Sequence, residues 1–250
     1  VIYTVLVVDT ETTGIDPTVD RVLEIAWSLY SVEHTTTVLS TAVLIHSAQE
    51  ANPAEAINRI PLAACRAHGQ PLSLVLKRLA MAMTSVDAVV AHSADFDRSF
   101  LLAEAMRLGA EMGAAFAALE VPWVCSKEDL AWPLQTREGG SLVALALEHG
   151  LGVAHAHRAG ADVELLTRLF DRVAEAGGAA ALRALLARGL RPKALFQSTL
   201  PFEQNDTHKA KGFRWEAATK RWLRRMAIED AEALGWARRV EEPPSRLPGL

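Results

Sequence analysis

Two carboxylates close an apolar run near the start of the chain. Ile2–Val8 is rich in β-branched residues, as a buried strand requires, and Asp9 and Glu11 follow within Val7-Val8-Asp9-Thr10-Glu11-Thr12-Thr13-Gly14. Two positions apart in extended backbone, their side chains leave the same face. Two acids on one face repel unless a cation lies between them, and hard, oxygen-seeking Mg²⁺ or Mn²⁺ suits that place. The plainer reading is an acidic turn capped by Thr12, Thr13 and Gly14. Two later segments repeat the acidic theme. Residues 86–102 read as a short apolar strand, a small-residue loop and Asp97 at the start of a helical pattern. Residues 155–166 set His157 five positions before Asp162, in the first turn of another helix. Either aspartate alone reads as an ordinary helix cap. The ordered set of four acids and one imidazole is what carries chemical meaning.

That set resembles the DEDD exonuclease superfamily, named for four metal-binding acids, over roughly residues 3–175. The family's Asp-x-Glu after a strand matches Asp9 and Glu11. Its aromatic-Asp pair after a His-Asn-Ala-like loop matches Phe96 and Asp97, with Ser93 standing where Asn is usual. Its His, four residues, Asp motif matches His157 and Asp162. The Tyr branch of the family carries Tyr where this chain has Arg158, so the chain resembles the His branch, which includes polymerase III epsilon-like proofreaders and exonuclease X-like enzymes. Val124 to Ala131, with Cys125, Ser126, Lys127 and Leu130, is similar to a strand-to-helix stretch of such enzymes. The resemblance implies a ribonuclease-H-like fold and Asp9, Glu11, Asp97 and Asp162 as ligands of two divalent cations, with Asp9 bridging. It implies His157 as general base, and Thr12, Thr13, His92 and Phe96 at the substrate, Thr12 through its backbone near a terminal 3′-hydroxyl.

The chemistry explains the residue types. In-line hydrolysis of a phosphodiester needs charge stabilised on both the attacking and the leaving oxygen, which two divalent ions about 4 Å apart provide. Four carboxylates balance four positive charges and leave coordination sites open. An imidazole, which titrates near neutrality, is suited to take a proton from the attacking water, and His155 in the same loop is the next candidate.

Those residues need a scaffold. Strand signals lie near 3–9, 22–31, 36–45 and 87–91, and helical ones near 54–67, 72–84, 97–109 and 141–150. Serial strands followed by alternation predict an α/β mixed sheet flanked by helices. At 250 residues with half of them apolar, the chain has room for one large domain and a small one. No apolar run is long enough to cross a bilayer, which predicts no membrane partner. The chain starts with Val rather than Met, which suggests a trimmed start, and no basic stretch precedes the first strand as a signal peptide would require. Cys65 and Cys125 stand far apart without zinc-type spacing and read as reduced, in a cytoplasmic protein.

Charge divides the chain. Residues 1–182 carry 12 Lys and Arg against 22 Asp and Glu, whereas residues 183–239 carry 13 against 6. Gly177-Gly178 breaks the last helix of the acidic part. The sequence therefore divides into a catalytic domain at 1–178, a helical linker at 179–192, a small basic α+β module at 193–240 and a tail at 241–250. The module reads as a strand, a helix near 205–211, and a hairpin with arms at 213–215 and 221–224. Its cations Lys209, Lys211, Arg214, Lys220, Arg221 and Arg224 form a candidate nucleic-acid face. Phe202, Phe213, Trp215 and Trp222 are expected to fill its core, because so small a unit needs large apolar side chains. This segment also resembles, loosely, small accessory modules of some DNA-processing proteins.

The expected activity is Mg²⁺-dependent 3′→5′ exonucleolysis of single-stranded DNA or frayed 3′ ends, releasing nucleoside monophosphates. The alternatives are a 3′→5′ exoribonuclease of the same fold, since the site residues do not read the 2′ position, and a non-catalytic nucleic-acid-binding or polymerase-accessory protein. A protein partner is the competing role for the module.

Overall fold

A computed structural model describes residues 2–136 and 140–241. The tail expected at 241–250 lies, beyond residue 241, outside the described residues. A five-stranded sheet organises the large body, in the order β3-β2-β1-β4-β5: β1 (Thr4–Thr12), β2 (Val22–Ser31), β3 (Thr36–Leu44), β4 (Ala88–Ala91) and β5 (Trp123–Cys125). The first three strands form an antiparallel meander, and β4 and β5 add parallel to β1. The C-terminal ends of β1 and β4 therefore open on the same edge.

Period-two alternation along β1 serves two cores. Val5 and Val7 point into one with Tyr30, Val90, Leu145, Val163, Leu166 and Phe170, beneath α6 (Leu142–Glu148) and α7 (Ala159–Gly189). Leu6 and Val8 point into the other with Ile25, Trp27, Val89, Leu76, Leu79 and Phe100, beneath α3 (Leu72–Met83) and α4 (Ala94–Arg107). The mixed, two-sided sheet expected from the sequence is what the chain forms.

Several boundaries differ. β1 does not stop at residue 9: pairing with β2 continues to Thr12, so both acids sit within the strand. The helix expected over 54–67 is two, α1 (Glu55–Asn58) and α2 (Leu62–His68), because Arg59 takes left-handed backbone at φ 56° and Pro61 cannot donate to a continuing ladder. An additional helix, α5 (Ala110–Ala117), follows Gly109. After β5 the chain turns through residues 126–129 rather than entering a helix. Segment 179–189 is not a free linker. It continues α7 past a break at Gly178, where φ is 69°, and buries Leu182, Leu185 and Leu186 in the same core as Phe170.

The basic module is a four-stranded antiparallel sheet, β7-β8-β6-β9, from β6 (Lys193–Ser198), β7 (Arg214–Glu216), β8 (Arg221–Ala227) and β9 (Ala237–Arg239), with α8 (Asn205–Ala210) and α9 (Ile228–Leu234). The sequence missed α9 and β9. The module's core holds Ala194, Phe196, Phe213, Trp222, Met226 and Ala231. Phe202 and Trp215, expected there, stay outside it. Ion pairs fasten the module to the body: Lys193 to Asp129 and Arg214 to Glu128, while Arg191 at the end of α7 grips Asp230 of α9 at 2.6 Å. No helix among the described residues is long and apolar enough to cross a membrane.

Candidate active site

The face of β1 that carries Val5 and Val7 continues upward as Asp9 and Glu11, and α7 covers that face. Asp162 lies in the first turn of α7 and so is delivered to the same place. Asp9, Glu11 and Asp162 each offer a carboxylate oxygen, all within 4.8 Å of one another. Asp97 comes from α4 on the opposite face, which explains why it stands outside that trio. Thr10, on the α4 side of β1, donates its hydroxyl to Asp97 Oδ1 at 2.8 Å. All four acids nevertheless line one cleft of about 580 Å³, together with Thr12, His92, Phe96 and His157.

Electrostatics in the cleft are severe. Burial pushes Asp9 well above the usual carboxylate range, and the charges of Asp97, Asp162, Glu11 and Glu24 push it further. Glu11 is raised to about 8, by burial first and then by Asp162, Glu24 and Asp97, with Arg158 opposing. Burial raises Asp97 to about 7 against the pull of the Thr10 hydrogen bonds. Asp162 rises through burial and is moderated by the backbone N–H of Arg158 and by His157. Half-buried oxygen donors with so little positive charge near them fit hard divalent cations, which would replace protons as counter-charges.

Two supporting residues were not singled out from the sequence. Glu24 is buried in β2 opposite Glu11. Arg158 grips it with two hydrogen bonds, Nε–Oε2 at 3.1 Å and Nη2–Oε1 at 2.8 Å, and the Ala159 N–H donates to it at 2.9 Å. The Arg158 N–H also donates to Asp162 Oδ2 at 3.1 Å, so this arginine fixes the start of α7 and its aspartate together. An acid inside the apolar run Val22–Tyr30 was the signal available for Glu24. The second residue is Asn58, whose side chain donates to the Thr12 carbonyl at 2.9 Å and so buttresses the acidic strand from α1.

The expected substrate residues divide. Thr12 and Phe96 line the cleft, and the Thr12 hydroxyl donates to the Gly14 carbonyl at 2.5 Å. Thr13 is not part of the lining; its hydroxyl donates to Asp20 and accepts from the Arg21 N–H, closing the 13–21 loop. His92 reaches the cleft, but both its nitrogens have protein partners, Ser126 Oγ at 2.9 Å and the Gly140 carbonyl at 3.1 Å. Burial lowers His92 to about 4, so it is neutral with the proton on Nε2 facing the carbonyl. It braces the 126 and 140 loops. His157 is exposed on the rim, in left-handed backbone at φ 61°. Lys127, from the stretch after β5, adds a cation to the wall. Ile15 and Ile57 add an apolar lip.

The family model for Exonuclease (RNase_T) matches residues 6–170, a span containing all five expected catalytic residues. The chain belongs to this exonuclease family. No curated protein matches it by sequence. Among solved structures it is similar to E. coli exonuclease I in complex with a dA16 oligonucleotide, at 18% identity and a TM-score of 0.59 over 79% of this chain and 48% of that one. The zinc-bound form of the E. coli exonuclease I–ssDNA complex gives 17% identity and a TM-score of 0.61 over 83% and 50%. A complex of exonuclease I with SSB-Ct gives 17% and 0.57 over 80% and 49%. The chain thus spans about half the length of the exonuclease I chains it matches.

Proposed function

We propose that the protein is a Mg²⁺-dependent 3′→5′ exonuclease that removes nucleoside monophosphates from single-stranded or frayed DNA 3′ ends. The observation that carries the reading is the convergence of Asp9, Glu11 and Asp162 within 4.8 Å of one another, in a cleft whose rim carries His157. Asp97 completes the acid set, and Mn²⁺ would substitute for Mg²⁺. When bound, the two cations would stabilise negative charge on the attacking and leaving oxygens. His157, on the exposed rim, accepts the proton of the attacking water. Arg158 and Glu24 hold Asp162 and the start of α7 in register with β1. Phe96, Leu142, Ile15 and Ile57 give the terminal base an apolar place to lie, and Lys127 offers a charge to phosphate. Solved structures with the same fold include E. coli exonuclease I bound to oligonucleotides, which favours a single strand as substrate. The two free cysteines, Cys65 and Cys125, accord with a cytoplasmic setting.

The test uses matched DNA and RNA oligonucleotides labelled at the 5′ end, with Mg²⁺, Mn²⁺ or chelator. A ladder shortening one nucleotide at a time from the 3′ end, faster on DNA and absent with chelator, is expected. Preference for RNA would reassign the enzyme as an exoribonuclease. No hydrolysis of either would reject the reading.

A further inference from the structure

The basic module divides its aromatic rings into two groups. Phe213 and Trp222 are buried, and His208 lies flat on Trp222 with centroids 4.7 Å apart and planes 7° apart. Phe202 and Trp215 stay outside at 53% and 39% exposure, the module's exposed large apolar side chains among the described residues. They meet edge to face at 4.8 Å, and Trp215 leans on Trp222 at 5.6 Å. The β7–β8 register sets Trp215 directly opposite Trp222, so the three rings share one face. A module this small gains from burying every large ring it has. Two rings left in water, yet held by a buried third, form a rigid platform.

The charge around the platform says what it fits. α8 packs on Trp222 through His208 and ends in exposed Lys209 and Lys211. Arg224 lies two positions beyond Trp222 on the same face and donates to the Lys211 carbonyl at 2.6 Å. Lys220 is exposed in the hairpin turn. The nearby acid Glu216 points to the other face, paired with Arg221 across the strands. Flat π surfaces with Lys209, Lys211, Lys220 and Arg224 on the same small module match a polyanion with flat faces, which is single-stranded nucleic acid, although Glu203 is exposed beside Phe202. The module's basic edge reaches the wall of the cleft: Lys211 and Arg224 line one surface pocket together with Lys127, which also lines the acidic site.

We infer that Phe202 and Trp215 form a stacking site for unpaired bases of the substrate strand, upstream of the nucleotide being removed. This rests on the proposed action at 3′ ends. Binding of a fluorescent single strand is measured by anisotropy with Ca²⁺ in place of Mg²⁺, alongside the same strand made abasic upstream of its 3′ end. The wild-type protein is expected to prefer the base-bearing strand. Phe202→Ala with Trp215→Ala should lose about tenfold affinity per ring and bind both strands equally. The slope of log K against log salt should stay unchanged, because the phosphate contacts remain. Phe202→Tyr with Trp215→Tyr should restore the preference, and an unchanged thermal midpoint shows that each variant is folded. Equal binding by wild type and the alanine pair, or an equal loss on the abasic strand, overturns the platform. Hydrolysis by the wild type is read separately in Mg²⁺. Base-dependent binding without hydrolysis supports the platform and rejects the exonuclease reading, whereas hydrolysis without base dependence rejects the platform alone.

Discussion

Asp9 bears the charge of four neighbouring carboxylates, Asp97, Asp162, Glu11 and Glu24, while Arg158 opposes the charge on Glu11 and His157 that on Asp162. Asp9→Ala and Asp162→Ala should each abolish hydrolysis, and Asp9→Ala should raise the thermal midpoint of the metal-free protein, because it removes a carboxylate from a repelling cluster. More than a few per cent of wild-type kcat retained in Mg²⁺ would show that the acid is no ligand. The same repulsion sets a pH dependence. Glu11 at about 8 and Asp97 at about 7 lie well above the values near 4 that such groups have in an unfolded chain, so the folded protein binds more protons. The stability they contribute is fully present below about pH 4 and is lost as pH rises through 7 to 8. Metal-free melting curves should therefore fall across that window, and Mg²⁺ should raise the midpoint more at pH 8 than at pH 5. A midpoint that climbs over the same range would contradict the cluster's raised titration. His157 borders Asp162 but adds no carboxylate to the cluster. His157→Ala should lower kcat by about 10²–10⁴ with metal affinity nearly intact, since it removes a base and no oxygen donor. A normal rate would move proton transfer to His155.

Strands and turns show why some of this was legible in the chain and some was not. Asp9 and Glu11 could be read because their spacing alone places them on one face of β1. Asp162 could be read because helix starts carry local signatures. Glu24 and Arg158 lie 134 positions apart, and no local pattern connects a buried acid in β2 to a loop arginine. The break between α1 and α2 rests on Arg59, which favours no left-handed turn by its type, and on Pro61, the one part of that break visible in the chain. Trp215 was misplaced because a cross-strand pair can bury one ring and expose its partner, and composition does not say which. Ser93 shows the reverse case, where the structure explains an oddity of the sequence. It adopts φ 88° and ψ 49° just before α4, a conformation that Asn tolerates better than Ser. Ser93→Asn should therefore stabilise the protein by up to about 1 kcal/mol, seen as a higher thermal midpoint. A lower midpoint would mean that the Ser93 side chain holds the loop in some other way.

The body and module are joined through one long helix whose bend rests on a glycine. Before Gly178, α7 carries Asp162 to the acid cluster; after it, the helix turns back so that Leu182, Leu185 and Leu186 fill the body's own core. Gly178 has φ 69° and ψ −176°, a region essentially closed to other residues, though a β-carbon there would meet no atom within 4 Å. Gly178→Ala therefore does not clash; it penalises the bend and favours a straight helix. A straightened α7 withdraws its three leucines and carries the module with them. The vacated groove then has one ready filler of the right shape, the same segment from another molecule. Gly178 is in this sense what keeps the fold self-contained, and its replacement should produce domain-exchanged dimers. Size-exclusion chromatography with light scattering should find a dimer that grows with concentration during refolding, each half borrowing its partner's leucines. A strictly monomeric variant, folded and unchanged in helix content, would show that the bend is held by the leucine packing and not by the glycine.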